Sequence, residues 1–428
     1  MQNDLELTKA IVVGVNSTND EEFSYQINEL INLCEARGIT VVETVVQNLP
    51  HPNNKCYVGT GKLEEIANLI DIHQVELVVF LDELSPIQIK NIEDALKCEI
   101  IDRTMLILEI FELRARTKEA MLQVEIANMK YMLPRLVGSY TNLSRTGGGG
   151  GGGAGARRGS GETKLEEDRR HIEKRIQKAV EELKEVVLNR QVARKSRKAN
   201  GTKTVAFVGY TNAGKSSTIN SLLDYFEKEE TKKVFVKNML FATLETSTRA
   251  IKLPTNQEFL ITDTVGFVSN LPHHLIESFK STLEEIKEAD LIVHVVDASN
   301  PHAEKQIETT EKVLKDIGVK DIPMVYALNK IDLVKNSLFL PVVTKDSILI
   351  SNQTLEGFDE LINYIKNKLF SDEITCNLLL PYDKGDVFAI LKDKATVHSF
   401  SYENNGIIVN ATMSVYLYNL YKNYSINE

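Results

Sequence analysis

The chain has 428 residues, of which 43% are hydrophobic and 26% are charged, and its formal net charge is −10. A chain of this length exceeds one ordinary hydrophobic core, so we expect two or three domains in a soluble globular protein. No segment approaches about 18 consecutive apolar residues, so we expect no membrane span. The negative charge excludes a uniformly basic nucleic-acid binder but allows local basic patches.

The N-terminal sequence and the cysteines indicate a cytoplasmic protein. The first residues, MQNDLELTK, lack the basic and then apolar layout of a signal peptide. The four cysteines are scattered without a C-x-x-C pair, which is typical of reduced thiols in the cytosol. The eight histidines show no metal-ligand spacing.

Residues 9–103 alternate strand-like runs, such as KAIVVGV and ELVVFLD, with helical patterns. This alternation predicts a small, mainly parallel α/β domain. Within it, Gly59-Thr60-Gly61-Lys62 resembles half of a phosphate-binding loop. The spacing is too short, however, and no Ser or Thr follows the lysine, so the pattern favours a glycine turn that leads into a helix.

Two long helical patterns follow, one over residues 104–133, with Pro134 as its expected end, and one over residues 162–198. The second pattern has apolar residues at three-, four- and seven-residue spacings. This spacing predicts an antiparallel helical hairpin or a short coiled coil.

The connection between these helices is rich in glycine and arginine. Seven consecutive glycines stand at 147–153, flanked by Arg145, Arg157 and Arg158, with no acidic residue before Glu162. Glycines give reach without a fixed backbone, and arginines contact phosphates. We expect a flexible basic tip that contacts RNA; a disordered connector is the alternative.

The end of the second helix is also basic. Its residues Arg190, Arg194, Lys195, Arg197 and Lys198, together with the following Lys203, have no acidic residue among them. This cluster suits a phosphate-binding patch or a solvated helix end favoured by the helix dipole, and the sequence leaves both open.

Residues 203–368 again alternate strands and helices, which predicts a doubly wound parallel sheet with a nucleotide at the carboxyl ends of its strands. The strand TVAFV leads into GYTNAGKS, which matches the G-x-x-x-x-G-K-[ST] phosphate loop. We expect nucleotide contacts from Gly209, Tyr210, Thr211, Asn212, Ala213, Gly214, Lys215, Ser216 and Ser217.

The glycine, lysine and serine of that loop each have a chemical purpose. Gly209 and Gly214 allow backbone N–H groups to point at phosphate oxygens. Lys215 places an ammonium on the β- and γ-phosphates, and the Ser216 hydroxyl is a ligand for Mg²⁺. The alternative, a chance glycine-rich turn, is disfavoured by the strand before the loop and the helical pattern after it.

Asp263 and Gly266 form a D-x-x-G sequence after the strand EFLIT. The carboxylate suits Mg²⁺ binding through water, and the Gly266 N–H suits a sensor of the γ-phosphate. Thr243 is the candidate for the hydroxyl that reaches Mg²⁺ when GTP is bound. Phe267 follows the sensing glycine and cannot orient water, so we expect slow intrinsic hydrolysis that depends on a partner or another residue.

The sequence Asn329-Lys330-Ile331-Asp332 closes another strand and selects the base. The Asp332 carboxylate can accept hydrogen bonds from the guanine N1–H and exocyclic amine, a donor pair that adenine lacks. Ser351 falls where a backbone N–H can meet guanine O6, and Asn352 follows in the same loop.

The last segment, residues 371–428, contains strand-like runs around VFAIL and IIVNATM and a tyrosine-rich end. It predicts a small α+β domain in which the tyrosines pack in the core and its rim.

These motifs, with longer strings such as YVGTGKLEEI, FLDELSPIQIKNIE and DTVGFVSNLPHHLIESFKSTLEE, closely resemble the HflX family of ribosome-associated GTPases, related to the Obg group. The resemblance implies four regions. They are an N-terminal α/β domain (1–103), a helical hairpin with a Gly-rich tip (104–200), a GTPase domain (201–370) and a small C-terminal domain (371–428).

The resemblance also implies a function. It implies a monomeric GTPase, with Mg²⁺ as cofactor, that binds the large ribosomal subunit and its rRNA. The hairpin loop would point toward the peptidyl-transferase centre, and binding would split stalled or idle ribosomes into subunits.

Three places depart from the usual family sequence. Glu245 and Thr246 stand after F-A-T-L, where Asp and often Pro are usual, and Asn352 stands where the guanine loop usually has Ala. The hairpin tip is a pure glycine run followed by Ala154 to Arg158. These departures concern the switch, the guanine loop and the tip, but not the fold.

Two other functions fit parts of the sequence. One is a regulatory GTP/GDP switch that acts on a protein partner through its N-terminal domain. The other is an ATP-driven enzyme. The arginine-bearing tip favours RNA as partner, and Asp332 disfavours ATP, so we favour the ribosome-splitting GTPase.

Overall fold

The computed structural model describes residues 8–17, 21–140, 156–199, 201–226, 247–269, 272, 275, 283–334, 340–343 and 346–426. The chain forms two compact units. The first comprises Met1–Val187, Asn238–Leu244 and Ser269–Phe279, and the second Leu188–Lys237, Glu245–Val268 and Lys280–Glu428. No helix within the described ranges has the length and apolar content that crossing a membrane requires.

The first unit is built on a four-stranded parallel sheet in the order β2-β1-β3-β4. Its strands are β1 (Lys9–Asn16), β2 (Thr40–Asn48), β3 (Leu77–Phe80) and β4 (Glu99–Asp102). The intervening helices are α1 (Glu21–Arg37), α2 (Thr60–His73) and α3 (Pro86–Leu96). The residues of β3 are buried on both faces, as expected for a parallel sheet between helices. The predicted N-terminal α/β fold is confirmed.

Gly59 is the N-cap residue of α2, with extended backbone angles. The sequence Thr60-Gly61-Lys62 forms the first turn of that helix. This arrangement agrees with the glycine turn that the short spacing favoured.

Three helices follow the sheet: α4 (Arg103–Arg114), α5 (Lys118–Tyr140) and α6 (Ala156–Ala199). The single helix predicted over residues 104–133 is therefore wrong, because it is two helices, and Pro134 lies inside α5. Tertiary contacts hold α5 on both sides of the proline. The Tyr131 hydroxyl bonds Asp102, and Arg135 donates to the Leu84 carbonyl at 3.1 Å. These contacts offset the backbone hydrogen bond that proline removes.

The helices α5 and α6 pack against each other through the buried residues Leu122, Ile126 and Ala179. The tip predicted to extend to residue 161 ends earlier, because Arg157 and Arg158 lie in the first turn of α6. Single glycines cost a helix only about 1 kcal/mol each, and the neighbouring arginines are good helix formers. Arg145 and the glycine run at 147–153 lie outside the described residues.

A buried ion pair joins α1 to the start of α4. Arg103 and Glu29 are 5% and 4% exposed, and their charged atoms lie 2.5 Å apart. Arg103 also donates to the backbone carbonyl of Ser269 at 2.9 Å, and the Ser269 hydroxyl bonds Glu29. The pair thereby anchors Ser269 in the first unit.

The second unit contains a six-stranded sheet in the order β10-β9-β8-β5-β7-β6. Its strands are β5 (Lys203–Val208), β6 (Ser247–Lys252), β7 (Glu258–Asp263), β8 (Leu291–Asp297), β9 (Met324–Asn329) and β10 (Ser347–Leu349). Its helices are α7 (Lys215–Phe226), α8 (Ala303–Asp316), α9 (Ile331–Val334) and α10 (Phe358–Leu369), with a short 3₁₀ helix at Ile286–Glu288.

Five of these strands are parallel, which confirms the doubly wound sheet. β6 was not predicted, and it pairs antiparallel with β7 at the sheet edge. Only a short turn separates β6 from β7, and a turn of this length can join only antiparallel strands. The doubly wound parallel sheet therefore carries one antiparallel strand at this edge.

The end of the chain folds around a second sheet of the second unit, in the order β12-β13-β11-β14. Its strands are β11 (Ile374–Leu380), β12 (Thr396–Glu403), β13 (Gly406–Met413) and β14 (Ser425–Ile426). The helices are α11 (Gly385–Lys394) and α12 (Val415–Tyr421), with 3₁₀ helices at Tyr382–Lys384 and Lys422–Tyr424. This confirms the α+β prediction.

The run VFAIL is helical, however, so its assignment to a strand is wrong. It lies in α11, where Val387, Phe388 and Leu391 are buried against the sheet. A short apolar run does not distinguish a buried helix face from a strand, and here packing decides.

Candidate nucleotide site

The phosphate loop connects the end of β5 to the start of α7. β5 lies between β8 and β7, so the loop emerges from the middle of the carboxyl edge of the sheet. Gly209 has φ +146°, and a Cβ atom there would lie 2.2 Å from the carbonyl oxygen of Val295. Only glycine fits this close approach, as the motif predicted.

Lys215 is folded across the phosphate loop. Its ammonium donates to the carbonyl oxygens of Gly209 at 3.0 Å and Tyr210 at 2.9 Å. An ammonium has three N–H donors, so these two bonds orient the third. Burial lowers the pKa of Lys215 to about 8, and the nearby Asp263 carboxylate opposes that shift. A bound phosphate would favour the charged lysine.

Ser216 and Asp263 meet at the base of the loop. The Ser216 hydroxyl donates to the Asp263 carboxylate at 2.7 Å, and Asp263 is fully buried at the end of β7. One hydroxyl and one carboxylate are hard oxygen donors of the kind that Mg²⁺ prefers. The pair therefore fits a magnesium ion.

The segment after Asp263 lies on the phosphate loop. A Cβ atom at Gly266 would lie 2.8 Å from Thr211 Cγ2 and 3.0 Å from Lys215 Nζ. The next residue, Phe267, is 2% exposed and exchanges two backbone hydrogen bonds with the loop. The Thr211 N–H donates to the Phe267 carbonyl at 2.7 Å, and the Phe267 N–H donates to the Gly209 carbonyl at 3.2 Å.

Asn329, the last residue of β9, connects this strand to the phosphate loop. Its side-chain amide donates to the Ala213 carbonyl at 2.9 Å, and the residue is 1% exposed. Lys330 follows with φ +64°, a left-handed conformation that is strained for a lysine, and its ammonium bonds Asp297 at 2.7 Å. Asp297 belongs to no motif that predicted it, and the sequence marks it only as an acidic residue at the carboxyl end of β8.

Asp332 and Ser351 also meet, through their side chains. The Ser351 hydroxyl donates to the Asp332 carboxylate at 2.6 Å. The Ser351 backbone N–H donates instead to the Glu356 carbonyl at 3.0 Å. The turn that follows Ser351 uses this N–H, so a contact with guanine O6 would have to replace the bond to Glu356; the assignment to O6 stays a prediction. The hydroxyl orients the carboxylate that would read the base.

The remaining predicted residues divide into three groups. Tyr210 and Ala213 are buried within the loop, and Asn212 has φ +61° at its turn. Ser217 lies in the first turn of α7. Thr243 lies outside the described residues.

Three family models match the chain. They are described as the GTP-binding GTPase N-terminal region, over residues 24–112, the GTP-binding GTPase middle region, over 114–197, and the 50S ribosome-binding GTPase, over 204–330.

Individual proteins are similar along most of the chain. The GTPase HflX of Caldanaerobacter subterraneus subsp. tengcongensis is 42% identical over 98% of this chain and 94% of its own length. The GTPase HflX of Escherichia coli is 36% identical over 88% of this chain and 86% of its own. A solved GTP-binding protein from Sulfolobus solfataricus, in complex with GDP, is 26% identical over 85% of this chain and 99% of that chain, with a TM-score of 0.45.

Proposed function

Because the chain belongs to the HflX family of GTPases, we propose that it binds the large ribosomal subunit in its GTP form and splits stalled or idle ribosomes into subunits. The chain is a GTPase, and its nucleotide domain is of the ribosome-binding type. The observation that supports a nucleotide-controlled activity is the position of Gly266 on the phosphate loop. A γ-phosphate needs the space beside Lys215 that this segment fills.

The geometry supports a role for each residue of the nucleotide site. Lys215 contacts the β- and γ-phosphates, and the loop N–H groups surround them. The Asp332 carboxylate, oriented by Ser351, accepts from guanine. Gly266 donates its N–H to the γ-phosphate once the segment lifts from the loop. GDP lacks that phosphate, so the GDP form keeps the segment on the loop.

Ser216 and Asp263 would hold Mg²⁺, with Thr243 as a third candidate. When bound, the ion neutralises charge that develops on the β- and γ-phosphate oxygens. Ser216 reaches it from the start of α7, and Asp263 from the end of β7. The 2.7 Å hydrogen bond between their side chains holds both oxygens in place beforehand.

The hairpin supplies the RNA contact. Packing of α5 on α6 through Leu122, Ile126 and Ala179 gives a stiff support for its tip. Arg157 and Arg158 stand in the first turn of α6, next to residues 141–155 that carry Arg145 and the glycines. Guanidinium groups there would bind rRNA phosphates. We also propose that the protein acts as a monomer in the cytoplasm.

The affinity of the protein for the ribosome depends on the bound nucleotide, and this dependence drives the cycle of ribosome binding and release. A ligand that moves an equilibrium from 1:99 to 99:1 must bind the favoured state about 5.5 kcal/mol more tightly. The bonds that Gly266 and Thr243 would form with GTP and Mg²⁺ are absent with GDP. Hydrolysis therefore returns the protein to the form that leaves the ribosome.

Light scattering of purified 70S ribosomes tests the proposal. The full chain with a non-hydrolysable GTP analogue should lower the scattering, and sucrose gradients should show free subunits. The chain with GDP is the matched control and should leave most ribosomes intact. Intact ribosomes with both nucleotides, although the chain binds GTP, would overturn the proposal in favour of the regulatory switch.

Two variants of the chain test the hairpin tip. Replacement of residues 141–155 by a short turn should leave GTP binding near normal and strongly reduce splitting. Arg157→Ala with Arg158→Ala should give a milder loss that is largest at low salt and shrinks as salt rises, because each phosphate contact that is removed lowers the salt dependence of binding. If the shortened chain splits ribosomes at the parent rate, the tip is only a connector, and the basic end of α6 is the next candidate.

A further inference from the structure

The side chain of Asn352 lies between the guanine loop and the phosphate loop. It is partly buried, and its Nδ2 atom donates to the Gly214 carbonyl at 3.2 Å. Its Oδ1 atom lies 3.0 Å from the Thr218 hydroxyl, in the first turn of α7. Both partners precede Asn352 by more than a hundred residues, so these bonds connect separate parts of the second unit.

The backbone of Asn352 adds a third connection. Its N–H donates to Asn329 Oδ1 at 3.3 Å, and the other end of the Asn329 amide donates to the Ala213 carbonyl. Two asparagine side chains therefore connect the base-reading elements to consecutive carbonyl groups of the phosphate loop. Each amide uses both its donor and its acceptor, which fixes its orientation.

The packing at Gly214 is equally close. Gly214 has φ +97°, and a Cβ atom there would lie 2.2 Å from Asn329 Nδ2 and 2.9 Å from Asn352 Nδ2. Both amides thus rest directly on the closing glycine of the loop. The Thr218 hydroxyl also lies 2.9 Å from the Gly214 carbonyl, so its single proton is shared between that oxygen and Asn352.

We propose that Asn352 is a positioning residue that holds the guanine loop and the phosphate loop together, so that the protein releases guanine nucleotides slowly. This inference rests on the proposed GTP site. A nucleotide can leave only when the base end and the phosphate end both open. Because the Asn352 bonds connect the two loops, movement of one loop away from the nucleotide strains the other loop. This coupling slows the release of GDP and GTP alike.

The same geometry predicts what Asn352 does not do. Its side-chain amide is used by Gly214 and Thr218, while Asp332 carries the base-selecting carboxylate. Loss of the side chain should therefore change the release rate without changing the preference among bases. A direct base contact would change that preference instead.

The test is the release rate of fluorescent GDP and GTP analogues, measured by stopped flow on the full chain with excess unlabelled nucleotide. Asn352→Ala removes two hydrogen bonds and should release both about tenfold faster. Asn352→Asp should release them faster still, because it places a carboxylate oxygen against the Gly214 carbonyl. Gln353→Ala changes the next, exposed side chain of the same loop and is the matched control, expected within about twofold of the parent.

Thr218→Val provides a second, independent variant because it removes only the hydroxyl partner. In a double-mutant cycle, the effects of Thr218→Val and Asn352→Ala should be less than additive. Competition between GDP and the xanthosine and inosine diphosphates should give the parent preference in every variant. Circular dichroism melting shows that the compared proteins are folded.

Three results would overturn the inference. The first is release from Asn352→Ala at the parent rate. The second is an altered base preference, which would make Asn352 a direct base contact. The third is full additivity of Asn352→Ala with Thr218→Val. Failure of the parent chain to bind guanine nucleotides would instead reject the proposed site itself, so the two failures are distinguishable.

Discussion

The backbone N–H of Thr211 donates a 2.7 Å hydrogen bond to the carbonyl oxygen of Phe267. This bond places Phe267, which follows the proposed γ-phosphate sensor Gly266, on the phosphate loop, where Phe267 is 2% exposed. The loop N–H groups are the ones that bind phosphates in such sites. A phosphate that binds the Thr211 N–H would therefore have to displace the Phe267 carbonyl.

Hydrogen exchange can follow the release of this segment. The amides of Thr211 and Phe267 should be protected in the nucleotide-free and GDP states, because both donate to backbone carbonyls. A GTP analogue should expose the Phe267 amide as Gly266 turns toward the phosphate. Exchange measured by NMR or mass spectrometry reports the change. Identical protection in all three states would mean that Phe267 does not take part in nucleotide sensing.

The identity of the Phe267 side chain leads to a prediction about the control of GTP hydrolysis. Phenylalanine cannot orient a water molecule, so the isolated chain should turn over GTP slowly. Large ribosomal subunits should raise the rate by at least about tenfold, if they supply or order the missing group. Phosphate release with increasing amounts of 50S subunits measures this, with 30S subunits as control. No stimulation at any concentration would place the activating element elsewhere.

Lys215→Ala and Ser216→Ala test the phosphate end of the site. Each removes a charge-assisted bond or a proposed metal ligand, and nucleotide affinity or turnover should fall about tenfold to a hundredfold. Fluorescent-nucleotide titration at fixed Mg²⁺ gives the affinity. Lys312→Ala, an exposed lysine on α8, is the matched control. Parent-like binding and turnover in both site variants would remove this loop from the nucleotide site.

Asp332→Asn tests the base end. The carboxylate should accept two bonds from guanine, together worth about 3 kcal/mol, and an amide would offer a donor to xanthine instead. GTP affinity should fall and xanthosine triphosphate affinity should rise. Ser351→Ala should weaken GTP binding less, because it only frees the Asp332 carboxylate to rotate. Equal GTP affinity in Asp332→Asn and the parent would refute the assignment.

The buried pair of Arg103 and Glu29 predicts a stability effect. Arg103→Met leaves a buried carboxylate without its cation and should cost roughly 3–5 kcal/mol of unfolding free energy. Arg37→Met breaks the more exposed pair with Glu109, which joins the same two helices, and should cost only about 0–1 kcal/mol. Urea denaturation, monitored by circular dichroism, compares the unfolding midpoints of the two variants. Equal midpoints would contradict the buried-pair argument.

Local sequence was sufficient to predict the backbone geometry of the phosphate loop. The strand, the glycines and the lysine of the phosphate loop are contiguous, so spacing alone predicted that Gly209 and Lys215 act together. Glycine at a position with φ +146° is a requirement of the backbone, which sequence patterns report directly. The alternation of strands and helices predicted both α/β sheets for the same reason, because each element buries its own apolar face.

Tertiary packing decided what local patterns leave open. VFAIL is helical because α11 buries one of its faces, although the same run suits a strand. α5 continues past Pro134 because Tyr131 and Arg135 are held by residues far away in the chain. Over five residues, a strand period of two cannot be distinguished from a helical period of 3.6. The penalty of about 3 kcal/mol for a proline inside a helix can be offset by contacts such as those of Tyr131 and Arg135.

The partners of the site residues also came only from the structure. Sequence order predicted Ser351 near the base, but the turn to Glu356 uses its N–H and leaves its hydroxyl to orient Asp332. Asp297 and Thr218 belong to no motif, yet they bond Lys330 and Asn352. Such pairs depend on which strand ends become neighbours in the sheet. Motifs determine which groups are present, and only the folded sheet order determines which of them meet.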